Sequence, residues 1–130
     1  MKNENLIIKS NESGTWCIWK SNIWISLNDG NFTPFLPLLE LSPNSLKALI
    51  AEAENESGSA QSKFPLQELL LFAIQTESVY WTEKAIICVT ELNSVNEQIR
   101  EQLINCLNNK RIDQKLRHKI RPFINYGGKG

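Results

Sequence analysis

The apolar pattern of this chain changes period once, and that change limits the fold more than any other feature. Through the first 35 residues the apolar positions form short runs broken by turn residues, and from Ser42 onward they recur at helical spacing. Leu6-Ile7-Ile8 is closed by Ser10-Asn11-Glu12-Ser13-Gly14. Two runs rich in aromatic and β-branched residues follow, Thr15-Trp16-Cys17-Ile18-Trp19-Lys20 and Ile23-Trp24-Ile25-Ser26-Leu27, with only Ser21-Asn22 between them. Two such runs joined by two polar residues predict a hairpin, and Asp29-Gly30 is a strong signal for a further turn. Alternation sets Ile23, Ile25 and Leu27 on one face and Trp24 on the other. The result is a small antiparallel meander with large apolar groups on both faces, one to cover helices and one to meet a partner.

Pro34 and Pro37 interrupt the apolar stretch Phe32 to Leu41, and each removes a backbone donor, so this stretch is predicted to be an extended connector packed on the core. Ser42-Pro43 then has the form of an N-cap with proline at the first helical position, opening a helix to about Glu54. Residues 55–62 are a polar, glycine- and serine-rich loop. Pro65 opens a second helix through about Thr76, apolar around most of its circumference and hence predicted to be central. A third runs from Ser78 to about Leu92, with Trp81, Ala85, Cys88 and Leu92 as a buried stripe. Ser94-Val95-Asn96-Glu97 has the spacing of a capping box for a fourth, whose stripe is Val95, Ile99, Leu103, Cys106 and Leu107. A fifth begins near Asp113 with Leu116, Ile120, Phe123 and Ile124 as its stripe, and Pro122 should bend or fray it.

These elements make an α+β chain, an N-terminal antiparallel β-meander packed on an up-and-down array of about five α-helices. With 130 residues, a single domain is expected over 1–130. Its β-rich portion and connector span 1–41, its helical portion 42–126, and a flexible tail 127–130. Short connections imply antiparallel helix neighbours, an array or a small repeat-like stack, although no residue pattern repeats.

No apolar run approaches the roughly 20 residues needed to cross a bilayer. The start, Met1-Lys2-Asn3-Glu4-Asn5, leads into only three apolar residues and does not read as a signal peptide, so a cytoplasmic protein is expected. Cys17, Cys88 and Cys106 are widely spaced without a CxxC pair, and each falls on an apolar stripe, which fits structural thiols. The only histidine is His118, so neither a metal site nor a cofactor is expected. No nucleophile elbow, phosphate-cradling loop or nucleotide fingerprint is present, and His118 falls opposite the apolar stripe of its helix; an enzyme is not expected.

Charge supplies the remaining candidates. Residues 40–102 carry ten acids against four bases, while from residue 110 onward seven bases face Asp113 alone. On the fifth helix Lys115 and Lys119 flank one side of the apolar stripe, and Arg117 and Arg121 the other. Such a cluster suits phosphate contacts with counterion release, or else complements the helix macrodipole and pairs with the acidic helices. In the acidic stretch, Glu52, Glu54 and Glu56 run into the polar loop, and Glu77 and Glu83 lie near the next helix junction. These five acids are the candidate docking face for a basic protein, steering its approach. Of the tryptophans Trp16, Trp19 and Trp24 expected on the meander's surface, Trp19 and Trp24 are the candidate anchors, since interfaces favour tryptophan.

The acidic stretch Glu52–Glu56, the helical run Leu66–Leu107 containing Tyr80-Trp81-Thr82-Glu83-Lys84-Ala85, and the aromatic meander Trp16–Leu27 together resemble a bacterial immunity protein. Such proteins neutralise contact-dependent or other polymorphic toxins. The likeness is one of type, without a diagnostic motif, and fixes no residue roles. It implies tight stoichiometric binding to a cognate toxin domain, often a basic nuclease, with no chemistry by this chain. The alternative is a nucleic-acid-associated module using Lys115, Arg117, Lys119 and Arg121.

Overall fold

The structure, a computed structural model, describes residues 6–11, 13–27, 30–56, 63–92 and 95–129, with side chains described as far as residue 122. The chain is α+β, with an antiparallel sheet at its N-terminal end and helices after it. It divides into two compact units, Met1–Pro65 and Leu66–Gly130. The division falls one helix later than the change in apolar period, because the first α-helix packs on the first strand and belongs with the sheet.

In the first unit, β1 (Ile7–Ser10), β2 (Trp16–Lys20) and β3 (Ile23–Ser26) form an antiparallel meander in the order β1-β2-β3. The β1–β2 turn is closed by Asn11, whose Oδ1 accepts from the Ser13 and Thr15 amides at 2.9 and 3.0 Å, while Gly14 takes the left-handed conformation that turn needs. Ser21 and Asn22 connect β2 to β3 with φ of 53° and 67°, the paired positive values of a type I′ hairpin turn.

Register places Ile8, Ile18 and Ile25 side by side on one face, with Trp16 on that same face beside Ile18. Ile8, Trp16 and Ile18 are buried. Trp16, expected among the surface tryptophans, is instead a core residue meeting the Phe64 ring edge-on at 5.3 Å. Two-residue periodicity puts it inside, because it shares a face with Ile18.

The stretch after the sheet is not the extended connector its prolines suggest. Thr33–Glu40 is a 3-10 helix, and the reason is that proline's fixed φ of about −65° suits this helix as well as an extended chain. Residues three apart eclipse in a 3-10 helix. Phe35 with Leu38, and Leu36 with Leu39, accordingly form two rows, all four buried. α1 (Pro43–Glu56) begins as the sequence indicates: the Ser42 hydroxyl accepts from the Ser45 amide at 3.2 Å, and Leu46, Ile50 and Ala53 form the buried stripe. Of the predicted polar loop, residues 57–62 lie outside the described residues.

The second unit holds α2 (Leu66–Gln75), α3 (Val79–Leu92), α4 (Glu97–Leu107) and α5 (Gln114–Lys129). α2 packs on α3 and α4, and α5 packs on α4 and α3. The unit is therefore two helical hairpins stacked first helix on first and second on second, the repeat-like alternative to an up-and-down array. On α3 the buried stripe is Thr82, Ala85, Ile86, Cys88 and Val89, with Trp81 half-buried at its flank against Tyr80 rather than in the core. The cap of α4 is Asn96, whose side chain accepts from the Ile99 amide at 2.8 Å, so Glu97 is the first helical residue and not the third. Ser94, the capping residue expected from the sequence, lies outside the described residues. α5 buries Leu116 and Ile120 and continues through Pro122 to Lys129, so the tail expected over 127–130 is helical up to Lys129. A proline inside a helix removes one donor, and here the helix continues past it. Gly130 and the side chains of Phe123 and Ile124 lie outside what is described. No helix among the described residues is long and apolar enough to cross a membrane.

Candidate functional site

The sheet face opposite the buried isoleucines carries a cross-strand row of Ile7, Trp19 and Trp24, directly paired in the ladder. Ile7 is 48% and Trp24 39% exposed, and Trp19 is half-buried. The two indoles contact one another with centroids 5.3 Å apart and planes tilted by 59°, and the Lys9 ammonium stands 4.5 Å from the Trp24 ring centroid. Beside this row, on the same face and level with Lys9, Cys17 is buried, its Sγ 3.5 Å from the Ser26 hydroxyl. Ile23, 57% exposed at the hairpin end, pairs with Lys20 and lies by strand parity on the opposite face, the one that carries Ile25. The fold thus brings the two predicted anchors Trp19 and Trp24 together and joins Ile7 and Lys9 to them. Reading Leu6-Ile7-Ile8 as an alternating strand would have placed Ile7 there.

The predicted acids separate into two kinds. Glu52 and Glu56 are exposed on α1. Glu54, between them, is half-buried and holds the Phe64 amide through Oε2 at 2.8 Å, closing the first unit. In the second unit Glu83 accepts the Asp113 amide at 3.3 Å and ties α3 to the start of α5. Glu77 is exposed in the α2–α3 connection with φ of 68°, a left-handed conformation usually left to glycine or asparagine.

The predicted bases of α5 behave differently from their acidic counterparts. Lys115, Lys119 and Arg121 are exposed, as is His118. Arg117 is half-buried, with its Nε buried and without a hydrogen-bond partner among the described residues. Among the described residues, none of these bases forms an ion pair with the acidic helices.

One cleft in the second unit was not foreseen. It has a volume of about 300 Å³ and opens where the end of α2 and start of α3 meet the end of α4 and the turn into α5. Its apolar side is Ile74, Val79 and Ile112, together with Thr82 and Cys106. Its polar side is Glu77, Gln102, Asn105, Asn109 and Arg111. The Asn109 Oδ1 accepts from the Arg111 amide at 3.0 Å, and its NH₂ makes no hydrogen bond among the described residues. Burial raises the pKa of the Cys106 thiol, so it lines the cleft as a neutral group.

No protein-family model, curated protein or solved structure matches the chain. Chemistry on the surface is therefore what distinguishes its possible roles. The sheet row can anchor a macromolecule through aromatic area, the α5 face can meet a polyanion, and the cleft can take a small polar ligand. Among the described residues, no group of three or more histidine, cysteine, aspartate or glutamate side chains is placed to hold a metal.

Proposed function

We propose that this chain is a non-catalytic, protein-binding inhibitor of the immunity-protein kind, neutralising a cognate bacterial toxin by stoichiometric binding in the cytoplasm. The observation that supports this reading is the row Ile7–Trp19–Trp24, with Ile7 and Trp24 exposed and Trp19 half-buried between them. Tryptophans that already contact each other lose little side-chain freedom on docking, and such residues dominate interface energetics. Glu52 and Glu56, exposed on the same unit, supply steering charge toward a basic partner. The decisive experiment is affinity purification from the cells of origin after nuclease treatment, with wild-type chain and the double variant Trp19→Ser, Trp24→Ser in parallel. The wild type should retain a protein at 1:1 stoichiometry and abolish that protein's toxic activity, and the folded double variant should do neither. Equal retention by the double variant would overturn the sheet-face contact, and a partner whose activity is untouched would overturn inhibition.

A second reading is favoured by one observation, that Lys115, Arg117, Lys119 and Arg121 form no ion pair among the described residues. In it Lys115, Arg117, Lys119 and Arg121 contact nucleic-acid phosphates. If all four do so on duplex DNA, log K should fall with log salt at a slope of about −3.6. A flat salt dependence in fluorescence anisotropy would remove this reading.

A further inference from the structure

We infer that the cleft of the second unit is a binding site for a small zwitterion of amino-acid type, a site independent of the protein-binding surface proposed above. Opposite charges line it, Glu77 from the α2–α3 connection and Arg111 from the turn before α5. They share the cleft without forming an ion pair among the described residues, so a ligand bearing both charges can satisfy each at once. The ammonium would face Glu77 and the carboxylate Arg111, whose planar fork matches carboxylate geometry.

Three further observations point the same way. The apolar wall of Ile74, Val79 and Ile112 offers a surface for an aliphatic side chain, as small-ligand sites do. Gln102, Asn105 and the NH₂ of Asn109 make no side-chain hydrogen bond among the described residues, so donors and acceptors remain around the charged pair. Glu77 also follows the end of α2, where helices commonly close on a left-handed residue, and its carboxylate makes no hydrogen bond or ion pair among the described residues. At about 300 Å³ the cleft is at the small end of ligand sites, which suits a single amino acid rather than a nucleotide.

The test is a titration of the full ¹⁵N-labelled chain with L-leucine, followed by amide chemical shifts. L-leucinamide, which lacks the carboxylate, and N-acetyl-L-leucine, which lacks the ammonium, serve as single-charge controls. Saturable shifts should cluster at residues 74–82 and 102–112, and each control should bind at least about tenfold more weakly, the loss expected for one charged hydrogen bond. Glu77→Gln should erase the preference for leucine over N-acetyl-leucine, and Arg111→Gln the preference over leucinamide. Both side chains are exposed, so both variants should keep the wild-type spectrum elsewhere. No saturable shift up to about 20 mM leucine, well above the millimolar affinity such a site should reach, would overturn the assignment. So would equal binding of the three compounds, or unchanged leucine affinity in both variants.

Discussion

Replacing Glu77 by alanine and, separately, by glycine tests the backbone at the cleft directly. Everywhere in a regular helix or strand, glycine is less stable than alanine by roughly 0.5–1 kcal/mol, because it loses more backbone freedom on folding. At φ of 68° the order should reverse. A side chain with a Cβ in the left-handed region costs about 1–2 kcal/mol, which alanine retains and glycine escapes. The difference leaves Glu77→Gly more stable than Glu77→Ala by about 0.5–1 kcal/mol, or roughly 2–5 °C in Tm. The Glu77 carboxylate makes no hydrogen bond or ion pair among the described residues. Glu77→Ala should therefore stay within about 0.5 kcal/mol of wild type, as exposed substitutions usually do. Urea titration of the three proteins, checked by thermal scans, measures all of this. An alanine variant as stable as the glycine variant, or more so, would refute the left-handed assignment at Glu77.

The β2–β3 turn makes a related prediction. Asn22→Gly should stabilise by about 0.5 kcal/mol in urea unfolding, since Gly is favoured at the second position of a type I′ turn and Asn22 sits there with φ of 67°. Cys88 is buried, and desolvation pushes its thiol up from 9.0 to about 11. A raised folded-state pKa contributes stability that is whole below 9.0 and lost as pH climbs to about 11, so the stability gap between wild type and Cys88→Ala should narrow over that window. Arg117→Met should be neutral or stabilising despite the loss of a charge, because the buried Arg117 Nε has no hydrogen-bond partner among the described residues. A loss above about 1 kcal/mol would show that the guanidinium is held by an interaction of its own.

What the sequence discloses about this chain is mostly local, and the residues show why. The Ser42-Pro43 start, the two-residue hairpin turn and the stripe Ile99–Leu103–Cys106 each depend on neighbours a few positions away, and each stands in the structure as read. Trp16 shares a face with Ile18 by strand parity, and residue type alone does not separate it from the outward Trp19 and Trp24. Pro34 and Pro37 exclude a regular α-helix as expected, yet their fixed φ serves a 3-10 helix equally, and only the burial of Phe35, Leu36, Leu38 and Leu39 decides between the two. The acids looked alike in sequence because charge alone does not distinguish a carboxylate that faces water from one that holds a backbone amide, as Glu54 and Glu83 do.

The cleft lay beyond local reading for a stronger reason. Its residues come from 74–82 and from 102–112, and they meet only because α2 stacks on α4 while α3 stacks on α5. Nothing in a 3.6-residue period specifies which of two hairpins' helices face each other; that choice rests on how their buried stripes interlock. One residue did carry a trace of it. Thr82 is polar in the otherwise apolar stripe of α3, fully inside and only 3.5 Å from the Ile74 carbonyl, a long contact for a hydroxyl. Thr82 also lines the cleft.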